Sequence, residues 1–239
     1  MNSPYGLEII ESCADCGIRS GGYFCDFDAD LLKSFENLKY ATVFPKGAVL
    51  FVEGQTPRGI FMLCTGRVKL TTCSSDGKAL ITRIAEGGEV LGLSATVSGR
   101  PYMATAETLL PCQVNFIKRA DFLRFLKENG AACLRVSEHL SKSYHDVFDQ
   151  VRSLGLSHTA SEKLAKLLLD WCAKSGKETE KGISLKLTLT HEEIAQIIGS
   201  SRETVTRLLG DFKSKQLIHV KGSSLIVRDK AALVAMVSS

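Results

Sequence analysis

No stretch of the chain is apolar over the roughly 20 residues that a membrane-spanning helix needs, so no membrane partner is expected. The opening MNSPYGLEIIESCADC has neither a basic start nor an apolar core and does not read as a secretory leader. A cytoplasmic location follows as an expectation. The eight cysteines are then expected to be reduced, ligating or buried rather than joined in structural disulfides. No segment repeats at a period of about 20–50 residues, and none is compositionally simple. Catalytic signatures are missing as well. There is no GxSxG elbow, and the five histidines (His139, His145, His158, His191 and His219) fall on expected helices or in the last β-rich piece without an evident partner. The pair Cys13 and Cys16 has CxxC spacing but lacks the βαβ setting of a disulfide oxidoreductase. An enzyme is not expected, and a thiol-disulfide redox protein is the remote alternative.

The densest local signal is the stretch Thr190 to Val227, THEEIAQIIGSSRETVTRLLGDFKSKQLIHVKGSSLIV. Thr190 followed by Glu193 predicts a capping box at a helix start, and Ser200 with Glu203 predicts a second one about ten residues on. Gly199 between them supplies the positive φ that ends the first helix. Ile194, Ile197 and Ile198, then Val205, Leu208, Leu209 and Phe212, follow helical spacing and should pack together. Arg202, Glu203, Thr206 and Arg207 are left on the opposite face of the second helix. Those groups suit a major groove: arginine binds guanine O6 and N7 bidentately, and glutamate accepts from cytosine N4. A solvated polar face is the plainer reading, but capping, turn and two following β-rich pieces coincide. A winged helix-turn-helix binding double-stranded DNA is therefore expected.

Charge agrees. From Leu156 onward there are 13 Lys and Arg against 9 Asp and Glu, a net of +4, whereas residues 1–155 carry 17 of each. The excess sits on the expected DNA-binding part.

Upstream, seven short β runs with glycine punctuation (Thr42–Phe44, Val49–Val52, Ile60–Cys64, Arg67–Thr72, Ala79–Ile84, Ala104–Thr108 and Gln113–Ile117) predict an all-β roll or barrel. Between roll and DNA-binding part, Cys133, Ser137, Leu140, Tyr144, Val147, Val151 and Leu154 alternate steps of four and three, the seam of two helices packed along each other. This predicts a homodimer whose recognition helices meet two half-sites about 34 Å apart. The plainer reading is a helix lying on its own roll, for which Val136 and Phe148, off the seam, could supply contacts. Trp171, with Leu164, Leu167 and Leu168, reads as the core of the helix that opens the last domain.

SSRETVTRLLGDFKSKQLI resembles the recognition helix of the CRP/FNR superfamily of bacterial transcription regulators, and the resemblance extends along nearly the whole chain from about Tyr40. The turns PKG, EGQ, TGRVKL and SSDGK match that family's double-stranded β-roll. The resemblance implies an α+β chain. Residues 1–28 form a cysteine-containing segment and 29–130 a cyclic-nucleotide-binding-like β-roll (jelly roll). Residues 131–154 form a dimerisation helix and 155–239 a winged helix-turn-helix. It assigns base reading to Arg202, Glu203 and Arg207, and places the hydroxyls of Thr190 and Ser201 at phosphates. FNR-type members usually lack the first arginine and have serine before the last; this chain has Arg202 and Thr206, which points to a TGTGA-like half-site or a hybrid of the two types. RNA polymerase is an implied partner.

Nucleotide-binding members of the family carry Gly-Glu-Leu and, about ten residues later, Arg-Ser-Ala or Arg-Thr-Ala. Here Leu93 and Tyr102-Met103-Ala104 stand at those places, with Arg100 two residues out of register. A buried phosphate without its cation costs several kcal/mol, so cyclic nucleotide is not an expected ligand. FNR-type oxygen sensors hold a [4Fe-4S] cluster with three N-terminal cysteines and one in the β-roll, which the resemblance places at Cys13, Cys16, Cys25 and Cys112. The second gap is eight residues here, against the five usual in FNR. Three readings stay open: an iron-sulfur cluster, zinc or a thiol-disulfide switch at Cys13 and Cys16, and no role. With no role, the alternative is a regulator whose β-roll responds to a small molecule or nucleotide. Cys64, Cys73, Cys133 and Cys172 lie in apolar elements and are expected to be small buried hydrophobes.

Overall fold

The computed structural model describes residues 4–14, 16–17, 22–156, 159–222 and 224–237. The chain divides into two compact units, Met1–His145 and Asp146–Ser239.

The first unit opens with helix α1 (Ala29–Glu36), whose N-terminus is capped by the Asp28 carboxylate accepting from the Leu31 N–H. Strands β1 (Tyr40–Phe44), β2 (Val49–Phe51), β3 (Gly59–Thr65), β4 (Arg67–Cys73), β5 (Ala79–Glu86) and β6 (Val90–Leu91) follow. After helix α2 (Leu93–Ser98) come β7 (Thr105–Thr108), β8 (Cys112–Lys118) and helix α3 (Arg119–Glu128). The strands form two antiparallel four-stranded sheets, ordered β1-β8-β3-β6 and β2-β7-β4-β5. All seven expected runs are strands, and the two-residue β6 is an addition.

Strand alternation sorts the β3 and β8 side chains between two cores. Phe61, Leu63, Cys112 and Val114 enter the roll interior, whereas Ile60, Met62 and Ile117 face a second core made with Phe24, Phe27, Phe35, Phe122, Phe125 and Val136. The N-terminal segment is thus the lid of a sheet face. Within the interior Tyr102 stacks on Phe51 with ring centroids 4.1 Å apart. Its hydroxyl donates to the Gly59 carbonyl at 2.9 Å and accepts from the Arg58 N–H.

Helix α4 (Gly130–Leu156) begins in the first unit and ends in the second. Its first turns carry Ala132, Val136 and His139, all buried. Leu140, assigned to the seam, is partly buried against the same core. The plainer reading therefore describes the first half of the helix. Phe148, off the seam, is 59% exposed. Leu134, Tyr144, Val147 and Val151 are also exposed. The Leu154 side chain lies outside the described residues.

The second unit contains helix α5 (Ala160–Ser175), strands β9 (Lys177–Thr179) and β10 (Gly182–Lys186), helices α6 (His191–Ile198) and α7 (Arg202–Ser214), strands β11 (Ile218–Lys221) and β12 (Ser224–Val227), and helix α8 (Lys230–Val237). The strands make one antiparallel sheet, β11-β12-β10-β9. Leu164, Leu168, Ile194, Ile198, Val205, Leu209 and Phe212 share its core, with Leu167, Trp171, Ile197 and Leu208 packed at its margin.

Candidate functional site

Thr190 and Glu193 form the expected capping box: the threonine hydroxyl accepts from the Glu193 N–H at 3.2 Å, and the Glu193 carboxylate accepts from the Thr190 N–H at 2.9 Å. Gly199 ends α6 at φ 65°. The second box is a correction. Ser200 donates its N–H to the Ala195 carbonyl and so belongs to the exit of α6. The N-cap of α7 is Ser201, which accepts from the Thr204 N–H, and Glu203 lies in the first turn without the N3 role. Thr190→Ala should cost about 1 kcal/mol of stability, read as a lower urea midpoint with an unchanged m-value.

Val205, Leu209 and Phe212 anchor α7 to the core, so Arg202, Glu203, Thr206 and Arg207 project outward and are all exposed. The helix N-terminus and its cap keep Glu203 ionised. Its own backbone N–H and the Ser201 hydroxyl hold the carboxyl below the usual range, as an acceptor for cytosine N4 requires. Thr206 donates to the Arg202 carbonyl at 2.9 Å and lies 2.9 Å from His191 Nδ1, which ties α7 to the start of α6. Thr190 and Ser201, both exposed, flank this face.

The cysteines form a second constellation. Cys13, Cys16 and Cys25 line one small cavity of about 20 Å³, together with Ile10, Lys39, Met62, Leu63, Cys64 and Asn115. Cys112 does not line it. That thiol points into the roll interior, donating towards the Arg67 and Leu110 carbonyls. It is closed in by Gly66, whose φ is +95° and where an added Cβ would come 2.4 Å from the Cys112 sulfur. Of the cysteines expected to be buried hydrophobes, Cys172 is buried, whereas Cys73 and Cys133 are exposed and Cys64 is half-buried at the cavity.

Charge surrounds that cavity on one side. Lys39 Nζ lies 2.7 Å from Glu36 Oε1 and 3.2 Å from the Cys13 sulfur, and the Cys13 N–H donates to the same carboxylate. Burial works against the Lys39 ammonium, but its bonds to Glu36 and Cys13 hold its pKa above the usual lysine value. The Cys25 thiol is pushed up to about 11 by burial and then by Cys13 and Cys16. Cys64 is pushed up to about 12 by burial and then by Cys13, Cys25 and Cys16. The unliganded Cys25 and Cys64 thiols stay protonated at neutral pH, and a bound metal would displace those protons.

Among the described residues no three His, Cys, Asp or Glu side chains stand in metal-ligating geometry, so the sulfurs line the cavity without converging on one point. Their chemistry fits a soft metal: thiolates hold both zinc and iron-sulfur clusters. The cavity has room for about one water-sized sphere, enough for a single ion, while a cluster requires the sulfurs to spread.

A β-roll followed by a long helix and a winged helix-turn-helix with an exposed Arg-Glu-Thr-Arg face defines a sensor-type DNA-binding transcription regulator. The cyclic nucleotide-binding domain family model matches residues 41–129, and the Crp-like helix-turn-helix domain model matches residues 162–236. The anaerobic regulatory protein of Bacillus subtilis is 27% identical over 203 residues, covering 84% of this chain and 85% of that protein. The nitrogen fixation regulation protein FixK of Bradyrhizobium diazoefficiens is 26% identical over 227 residues, covering 95% and 94%. The structure of FixK2 from Bradyrhizobium japonicum has the same fold, with TM-score 0.72 at 20% identity over 83% of this chain and 96% of that one. The chain belongs to the CRP/FNR superfamily of transcription regulators and is not an enzyme.

Proposed function

We propose that the chain is a cytoplasmic homodimer that reads a palindromic TGTGA-like site and recruits or blocks RNA polymerase there, with its DNA affinity set by the redox state of the N-terminal cysteines. Base contacts come from Arg202, Glu203, Thr206 and Arg207, and phosphate contacts from Thr190 and Ser201. The observation that carries the DNA reading is the exposure of those four side chains on a helix whose other face is locked in the core.

Control through the cysteines is supported by what they touch. Phe24 and Cys25 share a core with Ala132 and Val136 of α4. Beside them the Tyr23 ring meets His139 edge-on at 4.2 Å, Lys142 lies over Tyr23 at 5.5 Å, and Asp26 pairs with Arg135 at 3.6 Å. A change of state at the thiols therefore acts directly on the first half of the dimerisation helix, and two arrangements of that contact form the two-state element that regulation needs. A relative named for anaerobic regulation accords with this. The roll interior accords less with a nucleotide, because Tyr102, 3% exposed, fills it against Phe51.

The test measures binding to a TGTGA-type palindrome and to a scrambled duplex across a salt series, for anaerobic and air-exposed protein. The expected result is a linear fall of log K with log salt, preference for the palindrome, and a difference of about 5–150-fold between the two redox states. Equal affinity for both duplexes would overturn the sequence-reading assignment, and equal affinity in both states the thiol control.

A further inference from the structure

We propose that Cys64, and not Cys112, is the fourth thiolate of a soft-metal centre held with Cys13, Cys16 and Cys25. The proposal rests on the reading of the N-terminal cysteines as the control element and names the residue that completes them.

The first argument is strand parity. Side chains at even positions of β3, from Ile60 through Met62 to Cys64, leave the sheet on the face covered by the N-terminal segment. On the neighbouring β8, Gln113, Asn115 and Ile117 share that face, while Cys112, Val114 and Phe116 belong to the interior. Leu63 pairs with Val114 and Thr65 with Gln113, so Cys64 is the extra residue of a β-bulge, and it lines the cavity on the cysteine side. Moving the Cys112 sulfur to the cysteine side would take it through its own sheet, out of the interior where it packs with Val114 and Leu63. Cys64 needs no such movement, because it lines the cavity with the other three.

The second argument is an unanswered polar atom. Asn115 lines the same cavity, is 3% exposed, and its Oδ1 is buried without a hydrogen-bond partner. A buried unpaired amide is uncommon and signals an absent ion or water. An amide here has a use beside metal-bound thiolates, because in its turned-over orientation the NH₂ donates to sulfur, and amide orientation follows the network around it. The Lys39 ammonium, held by Glu36 at 2.7 Å, lies 3.2 Å from the Cys13 sulfur and can donate a hydrogen bond to it as a thiolate. The thiol protons go to solvent on loading, and no electron transfer is required for zinc.

The experiment uses the full chain purified without oxygen. Iron, acid-labile sulfide and zinc per monomer are measured for the wild type and for Cys16→Ser, Cys64→Ser, Cys64→Ala and Cys112→Ser, with visible absorption and circular dichroism recorded alongside. Cys64→Ser and Cys64→Ala should lose metal as fully as Cys16→Ser at unchanged helix content, and Cys112→Ser should keep the wild-type stoichiometry. Iron with matching sulfide identifies a cluster, and zinc alone a single-ion site; either outcome supports the proposal. Full metal in both Cys64 variants, or loss confined to Cys112→Ser, overturns it while leaving cysteine control intact. A metal-free wild type overturns it as well, and if DNA affinity is then also indifferent to oxidation, the reading beneath it falls too.

Discussion

Replacing Arg207 with alanine should weaken binding to a TGTGA-type palindrome by about 1–3 kcal/mol at each half-site, and hence roughly 2–6 kcal/mol for a dimer engaging both, if the half-sites add. Arg207 is exposed on a helix fixed from behind by Val205, Leu209 and Phe212, so the guanidinium is presented without rearranging the core. Among the described residues no carboxylate pairs with it, so its removal leaves no buried charge behind. The unfolding midpoint should stay within about 0.5 kcal/mol of wild type. Affinity for a scrambled duplex should fall far less, because one phosphate-attracting charge among many is lost. The measurement is fluorescence anisotropy on both duplexes at one salt concentration. Equal losses on the two would make Arg207 a phosphate contact and remove it from the base-reading set.

That surface was legible in the sequence because its signals are local. Capping at Thr190, the left-handed Gly199 and the helical spacing from Ile194 to Phe212 all lie within one short stretch, Thr190 to Phe212, and each specifies the same arrangement. The error between Ser200 and Ser201 shows the limit of such signals. Two adjacent serines cap equally well, and the choice falls to Ser201 because the Ser200 N–H closes the preceding helix on Ala195. Elements with no period were not legible. The exposed β9, the two-residue β6 and the uniformly apolar AALVAMV of α8 offer neither alternation nor a helical stripe.

Of the expected cysteine set, Cys13, Cys16 and Cys25 share one cavity and Cys112 stands apart from it, for a different reason. Similarity along the chain nominates Cys112, but which face of a sheet a residue occupies depends on parity, and a step of one residue reverses it. The clue was present in CQVNFIK, where Cys112, Val114 and Phe116 alternate with Gln113, Asn115 and Ile117. The polar pair marks the side met by the N-terminal segment, as the bonds between Gln113 and Ile10 now show. Cys64 was assigned to the apolar background because FMLC gives no polar residue from which to read its face.

A pair of charges on α4 should have the other large effect. Tyr144, Val147, Phe148 and Val151 are 56–69% exposed along successive turns, an apolar stripe on a helix whose first turns pack into the core through Ala132 and Val136. Fully burying a valine or phenylalanine side chain is worth about 1.5–3 kcal/mol, so leaving the stripe in water is unfavourable, and a second copy of the helix would cover it with a matching a/d seam, as proposed above. Val147→Glu combined with Val151→Glu would set like charges opposite one another at the centre of that seam. Sedimentation should show monomer where the wild type is dimer. Affinity for the palindrome should drop by about 10²–10⁴-fold, the avidity that linking two half-site modules provides, while affinity for an isolated half-site and the helix content stay unchanged. A double variant that remains dimeric would place subunit pairing on another face. It would also remove the proposed link from the contacts of Tyr23 and Asp26 with α4 to subunit pairing.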